Sequence, residues 1–147
     1  MEKKHRHIVE IGLTLLAQAK MSLSFGWESF HTASFLINRM ATLVFNNLSP
    51  FTKLHGRNLD YEFLKTFGCS CFPFLRLYSK YKLNFHTKRC LMIGYIPIHK
   101  GYKCLDSIRK IFIARYVKFH NSEFPYLELF PCINLIKMHF QLIKITQ

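Results

Sequence analysis

Acidic residues are scarce in this chain. It holds 8 Asp and Glu against 21 Lys and Arg, a formal net charge of +13. Such an excess suits a polyanionic partner, nucleic acid first and an anionic membrane surface second. No run of about 18 uncharged apolar residues occurs, so no transmembrane helix is indicated and no membrane partner is expected. The first residues, MEKKHRHIVE, are charged and have no cleavable apolar core behind them, so no secretory signal is expected. Reduced thiols inside a cell are then the default. There is no C-x-x-C pair: the five cysteines are Cys69, Cys71, Cys90, Cys104 and Cys132, and a zinc ribbon is not indicated. Internal repeats and low-complexity segments are absent as well.

What is present is apolar and aromatic. Half of the residues are hydrophobic and 15 of the 147 are Phe. That composition supports a packed core and excludes a disordered chain. The length allows one ordinary domain or two small units.

The first half reads as helical. Ile8, Ile11, Leu15, Leu16 and Ala19 recur at helical spacing and predict an amphipathic helix over Glu2 to Met21. A second helix is predicted over Trp27 to Leu43, with Trp27, Phe30, Ala33, Ile37 and Met40 as its stripe. Ser49, Pro50 and Gly56 have the spacing of an N-cap, a first helical residue and a terminator. Asp60 to Lys65 suits one more helical turn.

From Phe67 to Phe119 the pattern changes to β. Strands are predicted over Phe67 to Phe72, Arg89 to Tyr95, Gly101 to Leu105 and Ile111 to Phe119. Leu91, Ile93 and Tyr95 should share one face. Ile111, Ile113, Val117 and Phe119 should share another, broken only by Arg115. A basic, Tyr-rich loop runs from Leu75 to His86. The fold class is α+β, helices first and then a small basic barrel or curled sheet. In the tail only Ile133 to Ile143 suits a helix.

The cations define the candidate site. Lys3, Lys4 and Arg6 crowd the first turn of a helix, where the dipole disfavours them. Arg76, Lys80, Lys82, Lys88, Arg89, Lys100 and Lys103 are interleaved with Tyr78, Tyr81, Tyr95 and Tyr102, and Arg109, Lys110, Arg115 and Lys118 extend the set. Lys and Arg neutralise phosphates, and aromatic faces stack on bases or pack beneath long basic stems. A solvated basic surface is the alternative. No base-specific readout is suggested. Cys69 and Cys71 would lie on one face of a strand, where buried thiols are more common than a metal site. His5 and His7 point to different sides of their helix.

Several stretches together resemble copia-type retrotransposon polyproteins: EKKHRHIVEIGLTLLAQA, ESFHTASFLINR, SPFTKLHG, DYEFLKTFGCSCFP, YSKYKLNFHTKRC, HKGYKCLD and IARYVKF. They are collinear over most of residues 2 to 126. The resemblance implies the end of an RNase H-like integrase core over residues 1–66, an SH3-like domain over 67–126 and a degenerate tail over 127–147. In that family three acids hold two divalent ions, Mg or Mn, and Glu2 occupies the third-acid position. One carboxylate cannot hold two such ions. Glu10, Glu28, Asp60, Glu62, Asp106, Glu123 and Glu128 are too dispersed to substitute. The resemblance therefore implies a truncated fragment that is not an enzyme, needs no cofactor or small-molecule substrate, and retains non-specific DNA binding. Its location is nuclear if the family role is kept. The alternative is a structural relic that self-associates through exposed helix faces. The turn Ser107-Ile108-Arg109-Lys110 departs from the family's Gly-containing hairpin, and strain is expected there.

Overall fold

A computed structural model of the chain describes residues 2–131. The expected tail helix over 133–143, and Cys132, lie outside those residues. The described chain runs α1 (Glu2–Ala19), α2 (Gly26–Ile37), α3 (Pro50–His55), β1 (Ser70–Pro73), β2 (Cys90–Ile96), β3 (Gly101–Leu105), β4 (Ile111–Ala114), β5 (Val117–His120) and α4 (Tyr126–Leu129). This is the α+β order that the change of periodicity predicts.

Helix α1 buries Gly12, Leu16 and Ala19 along its predicted face. Helix α2 stops at Ile37, short of the expected Leu43. Its predicted stripe is also wrong at both ends, since Trp27 is 75% and Met40 55% exposed. The buried face is Ser29, Thr32, Ala33 and Phe35. The reason is crowding on two sides. The Phe30 ring lies where a side chain on Gly12 of α1 would have to go, and Thr32 faces Gly94 of β2. Small side chains let both neighbours approach. Helix α3 follows its sequence signals. The Thr52 amide donates to Ser49 Oγ at 3.1 Å, and Gly56 ends the helix at φ 62°.

The five strands form one antiparallel sheet in the order β4-β3-β2-β1-β5. Its two edge strands are consecutive in the chain, separated only by Arg115 and Tyr116. Three peptide steps reach at most about 11 Å. Edges of a flat five-stranded sheet stand about 19 Å apart. The sheet must therefore curl until its edges approach, which is the geometry of a small barrel.

Two irregularities overturn the expected faces. The single strand predicted over Ile111 to Phe119 is two strands with a corner at Arg115–Tyr116. Phe112 and Ala114 are buried before the corner, with Ile111 and Ile113 about half exposed. Val117 and Phe119 pack against the core after it. The corner shifts the inward parity by one residue. In β2 the register slips between Met92 and Gly94. Leu91 and Ile93 face the helices, while Tyr95 joins Cys90 and Met92 on the other side.

Two cores result. Cys69, Cys71, Cys90, Met92, Tyr95, Tyr102, Cys104 and Phe112 fill the barrel, with Phe35 of α2 against them. Leu16, Ala19, Phe67, Leu91, Ile93, Leu105 and Tyr126 form a second layer between α1 and the sheet. Gly68 allows this contact: its φ is +76°, and a Cβ there would collide with Ala19 Cβ.

Candidate nucleic-acid interface

The expected basic loop after β1 is held at both ends. The Leu75 amide donates to the His86 carbonyl at 2.6 Å, and Phe74 bridges to Thr87. Between them one helical turn over Arg76–Tyr78 carries the chain outward. The Tyr78 ring stands edge-on to Phe112 at 5.2 Å, and its hydroxyl donates to the Ile113 carbonyl at 3.4 Å. Ser79 Oγ donates to the Tyr81 carbonyl at 2.8 Å.

This arrangement brings Arg76, Lys80 and Lys82 to one open concavity of about 430 Å³. Phe74, Ser79, Tyr81 and His86 complete its lining, which contains no carboxylate. Tyr81 is 70% exposed and presents its ring to solvent. His86 Nδ1 is buried without a hydrogen-bond partner among the described residues. The concavity thus offers three cations, an open aromatic face and one unmet polar atom.

The other predicted cations are placed elsewhere. Lys3, Lys4 and Arg6 are exposed on α1, and Arg6 Nε contacts Glu10 Oε1 at 3.0 Å. Lys88 Nζ lies 2.6 Å from Asp106 Oδ2. Arg89 donates to Ser70 Oγ at 3.2 Å and to Glu128 at 2.8 Å, with Glu123 at 3.5 Å. These three cations are engaged by carboxylates of the chain itself. Lys103 runs along β3, its δ carbon lying over Gly94.

Lys100 lines a separate cavity of about 290 Å³. There it meets two cations that sequence reasoning passed over, Arg39 and Arg57, together with Phe35, Phe51, Phe63 and Asp60. The Arg39 guanidinium carbon sits 3.4 Å above the Phe35 ring centre and 4.7 Å from that of Phe51. Its Nη1 donates to the Phe35 carbonyl at 3.2 Å. Burial pulls the Arg39 pKa down from its ordinary value. No sequence spacing joins Arg39 to Lys100; only the packing of α2 on the sheet does.

Cys69, Cys71, Cys90 and Cys104 are fully buried in the barrel and reduced. Burial pushes the Cys69 and Cys90 thiols up to about 12. Cys71 is raised too, first by its hydrogen bond with Cys104 and then by burial. High pKa and no access make inert core thiols. Among the described residues no His, Cys, Asp and Glu gather in a metal-holding arrangement. Glu2 stands exposed on the first turn of α1. The described residues do not fit a two-ion centre.

Residues 69–131 match the family model described as the retroviral polymerase SH3-like domain. The chain is 40% identical over 126 residues to the retrovirus-related Pol polyprotein from transposon RE1 of Arabidopsis thaliana, and 42% identical over 126 residues to that from transposon RE2. Each match covers 85% of this chain and 9% of the relative. The Pol polyprotein from transposon TNT 1-94 of Nicotiana tabacum is 33% identical over 123 residues, 83% of this chain and 9% of that relative. The chain thus spans about a tenth of the length of the curated relatives it matches. No solved structure matches it. Over most of its length the chain is thus similar to retrovirus-related Pol polyproteins of copia-type retrotransposons, and residues 69–131 match their SH3-like domain.

Proposed function

We propose that this chain is a non-catalytic segment of a retrotransposon Pol polyprotein that holds duplex DNA non-specifically, in the service of DNA integration. The observation that carries the reading is the convergence of Arg76, Lys80 and Lys82 on one concavity lined by no carboxylate. Cations without internal counter-ions are free to displace the ions condensed on a phosphate backbone. Lys3 and Lys4 add charge at a second place, and Lys103 at a third. Lys88, Arg89 and Arg6 contribute less, because each already faces a carboxylate. Catalysis is not assigned to this chain, because by its resemblance Glu2 alone stands at a family acid position. The test is fluorescence anisotropy of the purified chain with labelled blunt duplex of scrambled sequence. Binding should be sequence-independent and should weaken steeply as salt rises. Absence of binding at low salt would refute it.

A second reading, self-association, has its own support. Leu43, Val44 and Leu54 are 86%, 85% and 80% exposed around the α2–α3 connection, and Trp27 is exposed on α2. Apolar surface of this kind drives association. Sedimentation velocity over a concentration series decides it, and a single monomeric species throughout counts against it.

A further inference from the structure

We propose that the cavity between α2, α3 and the β2–β3 turn is a second nucleic-acid site that takes one unstacked nucleotide of single-stranded DNA. Its phosphate would be held by Arg39, Arg57 and Lys100, and its base would lie against the apolar floor. The inference rests on the preceding reading only in taking DNA as the polyanion; the residues are different.

The Arg39 site suits a single oxyanion that presents two oxygens to the guanidinium. The Arg39 guanidinium carbon lies 3.4 Å above the centre of the Phe35 ring. A guanidinium has five N–H donors. One bond to a protein acceptor is formed here, to the Phe35 carbonyl. No carboxylate lies within ion-pair distance of Arg39, Arg57 or Lys100 among the described residues. A half-buried guanidinium with free edge donors is suited to bidentate phosphate binding.

The platform beneath it is rigid. Phe35 stacks on Tyr95 with centroids 4.4 Å apart and planes 10° from parallel. The Tyr95 hydroxyl donates to the Lys65 carbonyl at 2.6 Å and accepts from the Lys65 amide at 2.8 Å. Phe63 packs on both Tyr95 and Tyr102. Little order must be gained on binding, which favours affinity. Lys100 sits on the rim at φ 46°, a conformation that costs a non-glycine residue about 1 kcal/mol or more.

Size and charge select the ligand. About 290 Å³ suits one nucleotide and is too small for a duplex groove face. Three cations against the single carboxylate of Asp60 favour a phosphate. Asp60 can accept from a base amino group, yet it would repel the flanking carboxylates of an acidic peptide. Stacking against the apolar floor is tolerant of base identity.

The experiment compares a labelled duplex bearing a single-stranded overhang with a blunt duplex of equal length, using the full chain. The overhang should bind about tenfold more tightly, the value of one stacked base with its phosphate. Arg57→Gln and Arg39→Lys should each reduce that advantage by about threefold or more, while blunt binding stays within about twofold. Thermal melting of each variant reports whether it is folded, and Arg57→Gln changes an exposed side chain. Equal binding of overhang and blunt duplex by the unaltered chain would overturn the inference. So would an overhang advantage that survives both variants, or displacement of the overhang by a Glu- and Phe-rich peptide more readily than by oligothymidylate. Failure of the blunt duplex alone to bind sinks the loop reading instead, and leaves the overhang comparison intact.

Discussion

Lys88 Nζ lies 2.6 Å from Asp106 Oδ2, and the two ends of this pair sit in different media: the carboxylate side chain is 1% exposed and the lysine 50%. The other oxygen of Asp106 accepts from the amide of Ser107 at 2.6 Å and from its hydroxyl at 3.2 Å. Asp106 also closes the β3–β4 hairpin through its backbone, accepting from the Arg109 amide at 2.9 Å and donating to the Lys110 carbonyl at 2.9 Å. One buried side chain thus organises the turn between β3 and β4. Asp106→Ala should cost about 3 kcal/mol, because it leaves a buried amide unmet and a lysine without its partner. Asp106→Asn keeps an acceptor for Ser107 and should cost about half as much. Urea unfolding of the two variants checks the order; equal costs would show that the lost charge accounts for the whole effect and the acceptor for Ser107 contributes nothing.

In the same turn Arg109 adopts φ 62°. The hairpin is a type I turn followed by a left-handed residue, a place that glycine occupies without strain. Arg109→Gly should raise stability by about 0.5–1 kcal/mol, the relief of strain partly offset by the greater freedom of glycine in the unfolded chain. A denaturation midpoint that moves upward at unchanged slope is the expected result. A fall would mean that the Arg109 side chain stabilises the turn by a contact stronger than its strain.

Local chemistry was legible in the sequence, and tertiary choices were not. Ser49, Pro50 and Gly56 act within one helical turn, so their spacing was sufficient. The strand Gly101–Leu105 was read with its bounds because flanking turn residues mark both ends. The corner at Arg115–Tyr116 was hidden because alternation runs through it unbroken, and nothing in a period of two records a change of sheet edge. The bulge at Ile93 likewise re-aims Tyr95 without altering composition. The stripe of α2 differs for another reason: the helix buries the face of Ser29, Thr32, Ala33 and Phe35, which leaves Trp27 outside, and it ends at Ile37, before Met40. Arg76, Lys80 and Lys82 share one loop, so the sequence alone places them together. Arg39 and Arg57 reach Lys100 only through the packing of three separate elements, which no spacing records.

Gly68 sets the distance between α1 and the sheet. Replacing it by alanine forces a left-handed backbone onto a side chain and drives its Cβ into that of Ala19. The two effects together should cost about 2–4 kcal/mol. Ala19→Gly in the same chain should restore part of the loss by opening space. The double variant, measured by thermal melting against each single one, separates clash from backbone strain. Strict additivity would show that the contact contributes nothing.

The buried thiols make stability depend on alkaline pH. Cys69 and Cys90 are raised from 9.0 to about 12 in the folded chain. A folded pKa above the unfolded one contributes stability that is complete below the unfolded value and is lost as pH rises toward the folded value. The window is therefore about pH 9 to 12, and stability falls across it. At pH 10 each thiol should cost on the order of 1 kcal/mol relative to pH 7.5. Cys69→Ala and Cys90→Ala should lower stability at neutral pH but flatten its alkaline slope. At pH 8 the four barrel thiols should resist a thiol reagent until denaturant is added. Rapid labelling of any of these four thiols in the native chain would contradict the barrel interior described above.

The loop concavity can be counted by its salt dependence. A cation that neutralises one phosphate of duplex DNA adds about 0.9 to the slope of log affinity against log salt. If Arg76, Lys80 and Lys82 each meet a phosphate, the triple Gln variant should lower the slope magnitude by about 2–3. The single variants should lower it by about 1 each, with no change in sequence preference. Lys88→Gln and Arg89→Gln serve as internal controls. Both cations face carboxylates inside the chain, so their loss should reduce folding stability more than it changes the slope. Tyr81→Ala removes an exposed ring without removing charge. It should leave the slope intact and weaken binding at every salt concentration if that ring packs on the nucleic acid. A triple variant with the slope of the unaltered chain would place the DNA contact elsewhere, and the cluster of Arg39, Arg57 and Lys100 would be the next set to count by the same measurement.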